Sequence, residues 1–179
     1  MDPIKTERES LRDLKAILAE TKAYNIKFLV MGGWAVTAYV RRHRYTKDID
    51  LVTSKALEGP IQGILKRLGY DVSNRTFGLA AEKQKGSIDL KVHISIGRIL
   101  DESRTGKALA YPIPEEAYEQ APLLRITSYH PECRPYEFQV PILPLEDLFI
   151  AKVLPLGREN DVLDVASLVI NRGEASTCS

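Results

Sequence analysis

The stretch that most constrains this chain runs from residue 26 to residue 53. There an apolar run, a Gly-Gly pair, a short helical segment and the triplet Asp-Ile-Asp follow one another. "IKFLVM" reads as a short buried strand, Gly32-Gly33 as a tight turn, residues 34–42 as a helix and "DIDLVT" as a second strand. A chain that alternates strand and helix in this way builds a sheet with helices against it. The later segments, "FGLAAEKQ" with "SIDLKVHIS" and "LLRITSY" with "YEFQVPIL", read as hairpins. The expectation is therefore an α/β (α+β) fold with a mixed β-sheet flanked by helices.

Further helices are predicted over residues 2–24, from Pro60 to Gly69, over 144–154 and over 159–170. Residues 96–121 carry no clear period. At 179 residues the chain suits one domain over 1–172, with a core over about 1–95, a C-terminal hairpin and helices over 96–172, and a frayed tail at 173–179. The sequence is 27% charged and 44% hydrophobic, with no apolar run of membrane-spanning length and no leader-like N-terminus. Its two cysteines, Cys133 and Cys178, make no disulfide framework, so a cytoplasmic protein without membrane contact is expected. A net charge of +1 argues against a broad nucleic-acid surface.

In a strand, residues i and i+2 share a face, so Asp48 and Asp50 project together while Ile49 and Leu51 turn to the core. Paired carboxylates repel unless a cation lies between them, and Mg²⁺ with its oxygen ligands suits the pair. An Asp-apolar-Asp triplet alone is weak, since about one chain in five of this length would carry one by chance. Asp89 adds weight. In "SIDLKVHIS" the residues Ile88, Leu90, Val92 and Ile94 form one face, and Ser87, Asp89, Lys91 and His93 the other. Three converging carboxylates suit a two-ion phosphoryl-transfer site, the third helping to deprotonate an attacking hydroxyl. Gly32 and Gly33, where a strand enters a helix, let backbone N–H groups turn toward a phosphate.

Strand, Gly-Gly, helix and Asp-x-Asp, followed by a single Asp between apolar residues, resembles the DNA polymerase β-like nucleotidyltransferase superfamily. Among the small stand-alone members, minimal nucleotidyltransferases and AbiEii-type toxins, the segment "GG…R-x-T-x-D-h-D" resembles "GGWAV…RYTKDIDLV" here, with 14 residues between Gly33 and Asp48. "PLEDLFIAKVLPLGRENDVLDVASLV" is similar to their closing helices. The resemblance implies the nucleotidyltransferase fold, with Asp48, Asp50 and Asp89 as catalytic metal ligands holding Mg²⁺, two ions in all. It also implies that Gly32, Gly33 and Lys152 contact the bound nucleotide and that Arg44 orders the loop or contacts a phosphate; Arg158, also on the nucleotide, and Asp161 are weaker assignments, since Asp161 and Asp164 also suit a cap or salt bridge of the last helix. Where many members carry Ser after the glycine, this chain has Trp34, which leaves phosphate contact to backbone N–H groups. The aminoglycoside and lincosamide nucleotidyltransferases also resemble the chain in "GGW". They rank as the poorer match, with one more residue before the Asp pair and an Asp where this chain has Thr37.

The implied activity is transfer of NMP from an NTP, ATP among them, to a hydroxyl acceptor: RNA, protein or a small molecule. A toxin held by an antitoxin protein is one form of it. The alternatives are an antibiotic-modifying nucleotidyltransferase and a non-catalytic nucleotide- or partner-binding module on the same fold. Other motifs carry less. His130-x-x-Cys133 is too few ligands for structural zinc. "GRILDESRTGKA" fails the phosphate-loop pattern, because eight residues separate Gly97 from Gly106. His93 reads as a surface histidine, and the basic burst Arg41, Arg42, His43, Arg44 and Lys47 partly as a helix terminus.

Overall fold

The computed structural model of the chain describes residues 3–42, 44–54, 57–101, 109–130, 133–155 and 159–175. Its elements are α1 (Pro3–Ala23), β1 (Leu29–Val30), α2 (Gly32–Val40), β2 (Ile49–Thr53), α3 (Glu58–Arg67), β3 (Asp71–Arg75), β4 (Gly78–Lys85) and β5 (Ile88–Ile96). They continue as β6 (Arg98–Asp101), β7 (Leu109–Pro112), α4 (Glu115–Glu119), β8 (Leu123–His130), β9 (Cys133–Pro141), α5 (Leu145–Val153) and α6 (Glu159–Ala175).

The main sheet has five strands in the order β1-β2-β5-β4-β3. β2 and β5 run parallel, and the other pairs are antiparallel. The parallel pair is the centre of the molecule, and its register sets the site: Ile49 pairs with Val92, Asp50 with His93 and Leu51 with Ile94. Because side chains alternate along a strand, Ile49, Leu51, Leu90, Val92 and Ile94 bury one face completely. Leu11, Leu14 and Ile17 of α1 and Ile61, Ile64 and Leu65 of α3 join them in one core. Each such side chain contributes about 1.5–3 kcal/mol by leaving water, so this layer fixes the strand register firmly.

Two short hairpins, β6–β7 and β8–β9, stand beside the main sheet. The second is tied back where Leu143 N–H donates to the Val30 carbonyl at 3.0 Å. α2 packs on β2, β8, α5 and α6, and α5 packs on α6. The closing helices therefore come over the edge of the sheet that carries Asp50.

The sequence reading differs from the structure in local ways. β1 is only Leu29–Val30, since the chain enters α2 at Gly32, two residues earlier than its side chains suggest. β3 went unread because "DVSNR" is an exposed edge strand with one half-buried residue, so no apolar period marks it. The featureless segment after residue 96 contains β6, β7 and α4. α6 continues through Gly173 to Ala175. Among the described residues, no helix is long and apolar enough to cross a membrane.

Candidate active site

Asp50 sits on the open face of β2, and Asp48 occupies the bend just before it. Both line a cavity of about 400 Å³ whose walls include Gly33, Arg44, Thr46, Lys152 and Asp161. A second cavity of about 350 Å³ is also lined by Asp50. It is lined by Gly32, Phe77, His93, Ile99, Leu100 and Pro155, among others, and it shares Asp50, Lys152 and Asp161 with the first. Two basins thus meet at Asp50, Lys152 and Asp161, a shape that suits two reactants held on either side of a reacting centre.

The glycine turn touches the acids directly. Gly32 has φ +66°, and a Cβ there would fall 2.1 Å from Asp50 Oδ2. A Cβ on Gly33 would meet Arg44 Nη1 at 2.6 Å and Thr46 Oγ1 at 2.9 Å. The Met31 N–H donates to the Asp50 carbonyl at 2.9 Å, which stitches the turn to the strand. Glycine is required at both places so that the helix N-terminus can come down onto the Asp-x-Asp segment. Trp34 points the other way, 1% exposed in the core. Its role is packing, as its size suggests.

The loop carrying the pair is held from behind. Glu7 of α1 accepts a hydrogen bond from the Thr46 N–H at 3.2 Å, and Thr46 Oγ1 donates to the Arg44 carbonyl at 3.1 Å. Arg44 Nε lies 3.3 Å from Asp164 Oδ1. Lys152 Nζ lies 2.9 Å from Asp164 Oδ2 and 3.1 Å from Asp161 Oδ1. Asp164, 1% exposed, is therefore the hub of a chain of alternating charges running from the loop through α6 to α5. A buried carboxylate between two cations is stabilised by both, and it fixes where Lys152 can point.

The structure brings together Gly32, Gly33, Arg44, Asp48, Asp50 and Lys152. It does not bring Asp89 to them. Asp89 precedes the part of β5 that pairs with β2, which begins at Val92. It pairs instead with Gln84 across β4 and lines a separate depression with Glu82 and Lys91. Convergence of three carboxylates required a register that places Asp89 opposite the pair, and the packed register places His93 there. Arg158 lies outside the described residues.

His93 is the residue that sequence reasoning passed over. Its Nδ1 is 3.2 Å from Asp50 Oδ1, and its ring stands edge-on to Phe77 at 6.0 Å. The hydrogen bond to Asp50 raises the imidazole pKa; burial opposes this, and the Asp50 and Asp48 charges reinforce it. Only the alternation of β5 hinted at its position, since His93 shares a face with Asp89. Glu7 and Asp164 gave weaker signals, because their partners are remote in sequence.

Asp48 and Asp50 offer hard oxygen donors on a shared cavity wall, which fits a divalent cation. Among the described residues, no three acidic, histidine or cysteine side chains already surround one point. A cation held by the pair would complete its shell with water and phosphate oxygens.

Residues 13–168 match the family model described as aminoglycoside-2''-adenylyltransferase. The solution structure of the antibiotic-resistance factor ANT(2'')-Ia is similar, with a TM-score of 0.59 at 18% identity, covering 94% of this chain and 85% of that one. The crystal structure of ANT(2'')-Ia in complex with adenylyl-2''-tobramycin gives 0.51 at 18% identity, over 91% and 89%. The lincomycin-bound lincosamide antibiotic adenylyltransferase LnuA gives 0.50 at 18% identity, over 88% and 95%. No curated protein matches at the sequence level. At this identity the structural likeness is one of fold, and the fold is that of the nucleotidyltransferases.

The family match reverses the ranking of resemblances read from the sequence, which placed the drug-modifying transferases behind the stand-alone and toxin members. The differences that lowered them were one residue of spacing and Thr37. Thr37 donates to the Trp34 carbonyl at 2.8 Å within its own helix.

Proposed function

Because the chain belongs to the aminoglycoside-2''-adenylyltransferase family, we propose that it moves AMP from ATP to a hydroxyl of a small antibiotic-like acceptor. The observation that carries this reading is the meeting of two cavities at Asp50, with the Gly32–Gly33 turn and Lys152 on the same walls. The cavity beside Asp48 holds the triphosphate. Backbone N–H groups at the start of α2 and the Lys152 ammonium face its oxygens, aided by the positive end of the helix. The second cavity, with Phe77, Ile99 and Leu100 among polar groups, takes the acceptor.

Asp48 and Asp50 would hold a divalent cation, Mg²⁺ in the simplest case, which would supply neutralisation of phosphate charge. The acceptor oxygen forms a bond to the α-phosphorus as the bond to the bridging oxygen breaks, and pyrophosphate leaves. The hydroxyl proton passes to a carboxylate of the cavity wall. Asp161 and Asp164 hold Lys152 in place, so its charge is already oriented before the nucleotide arrives. Such positioning supplies most of the rate in phosphoryl transfer.

The test is incubation with ATP, a divalent cation and a panel of aminoglycosides and lincosamides, with pyrophosphate release and an AMP-sized mass gain on the acceptor as readouts. Transfer that disappears in Asp50→Asn supports the reading. Absence of adenylylated product with every acceptor, or equal transfer by Asp50→Asn, rejects it.

A further inference from the structure

We propose that the chain carries a second anion site, separate from the cavities at Asp50, in which Arg41, Arg42 and Arg125 hold a small molecule bearing two or more phosphate charges. The site is independent of the transferase reading, since none of its lining residues lines either cavity at Asp50.

The site is a cavity of about 500 Å³ between the last turn of α2 and the β8–β9 hairpin. It is larger than either cavity at Asp50, and its volume is that of a small-molecule site. One wall is α2, with Thr37, Arg41 and Arg42. The hairpin forms the other through two cross-strand pairs, Arg125 with Gln139 and Thr127 with Glu137. Residues i and i+2 of a strand share a face, so Arg125 and Thr127 stand together there, while Ile126 between them is buried on the reverse side. Three arginines thus border one cavity against a single carboxylate, Glu137, which leaves two positive charges for a ligand to balance.

Two of the arginines have no counter-charge. Among the described residues, neither Arg41 nor Arg42 forms an ion pair, and both are exposed. Arg41 also ends α2 with φ +52°, in the left-handed region where glycine is the usual residue. The backbone disfavours arginine there, so the guanidinium is what the position provides. Arg125 is only loosely engaged. Its Nη1 lies 3.3 Å from Glu137 Oε1, with the two side chains 64% and 43% exposed, and solvated pairs of this kind are weak. The helix dipole favours positive charge at the end of α2, but it does not account for Arg125 on the facing wall.

The donors suit phosphate better than carboxylate. Guanidinium forks bind phosphate oxygens in pairs. A tetrahedral phosphate offers oxygens to both walls at once, whereas a carboxylate offers two in one plane. The Thr127 hydroxyl and the Gln139 amide add neutral donors.

The experiment titrates the full chain with inorganic pyrophosphate, without added divalent cation, and follows backbone amide shifts by NMR. The expected result is a saturable shift of the amides of residues 37–42 and 123–127, with citrate binding about tenfold more weakly. Arg41→Gly, which suits the left-handed backbone, keeps the melting temperature and weakens pyrophosphate binding about tenfold, as does Arg125→Gln. Glu137→Gln releases Arg125 and tightens binding. Shifts confined to the surroundings of Gly32 and Lys152, or an affinity unchanged in both Arg41→Gly and Arg125→Gln, overturn the proposal. Citrate binding as tightly as pyrophosphate overturns the assignment to phosphate.

Discussion

Gly32 and Asp50 are in contact so close that no side chain fits between them: a Cβ on Gly32 would lie 2.1 Å from Asp50 Oδ2. The turn and the carboxylate are therefore one unit, although 17 residues separate them in the sequence.

Gly32→Ala tests that unit. Its φ of +66° costs an L-residue about 1–2 kcal/mol, and the added methyl must push Asp50 aside. In the proposed role of Asp50, a displacement of about 1 Å lowers turnover on the order of a hundredfold. The expected outcome is a large fall in kcat with a modest drop in melting temperature. Wild-type kcat in a folded variant would contradict it.

Asp164 is predicted to be structural before it is chemical. Replacing it with Ala leaves Lys152 and Arg44 facing one another without the carboxylate that both contact. Removal of one partner from a buried ionic cluster costs about 3–5 kcal/mol. Arg44 is a third exposed, which places the expected loss at the lower end. Urea unfolding of Asp164→Ala measures it, and a loss of a few tenths of a kcal/mol would show that the cluster is only a surface pairing.

Trp34 separates packing from nucleotide binding. It is the largest of the fully buried side chains, and its indole N–H meets no hydrogen-bond acceptor among the described residues. Trp34→Ala is expected to cost about 3–5 kcal/mol. Trp34→Phe keeps most of the apolar volume and loses no hydrogen bond, so ATP affinity stays at the wild-type value. Calorimetric titration of Trp34→Phe checks this, and a marked loss of affinity would place the indole in the nucleotide site.

Alkaline pH should loosen the contacts around α5. Burial, aided by the charges of Glu146 and Asp147, pushes the Tyr39 phenol up to about 12. The Tyr111 phenol, which donates to Asp147 Oδ1 at 2.5 Å, is likewise raised to about 12, mainly by that hydrogen bond. In the unfolded chain both titrate near 10, so the folded state holds more protons between the two values. Linkage then makes the contribution of these two phenols to stability constant below pH 10 and falling as pH rises toward about 12. Denaturation midpoints measured across that window check the slope. Tyr39→Phe and Tyr111→Phe should each flatten it.

Much of the site is written locally. Alternation puts Asp48 and Asp50 on one face, a Gly-Gly pair before a helix makes the tight turn, and "SIDLKVHIS" has one apolar face whatever it pairs with. These follow from the period of a strand and the freedom of glycine, which need no neighbours. Tertiary packing decided which residue of β5 meets Asp50. The register is set by burying Leu90, Val92 and Ile94 against α1 and α3, and a shift along the strand keeps the same face while exchanging Asp89 for His93. Asp164 was undecidable for the same reason, since its meeting with Arg44 and Lys152 depends on α6 returning over the sheet edge. The sequence alone determined which side chains share a face. Only the packed core determined how far along that face each one stands.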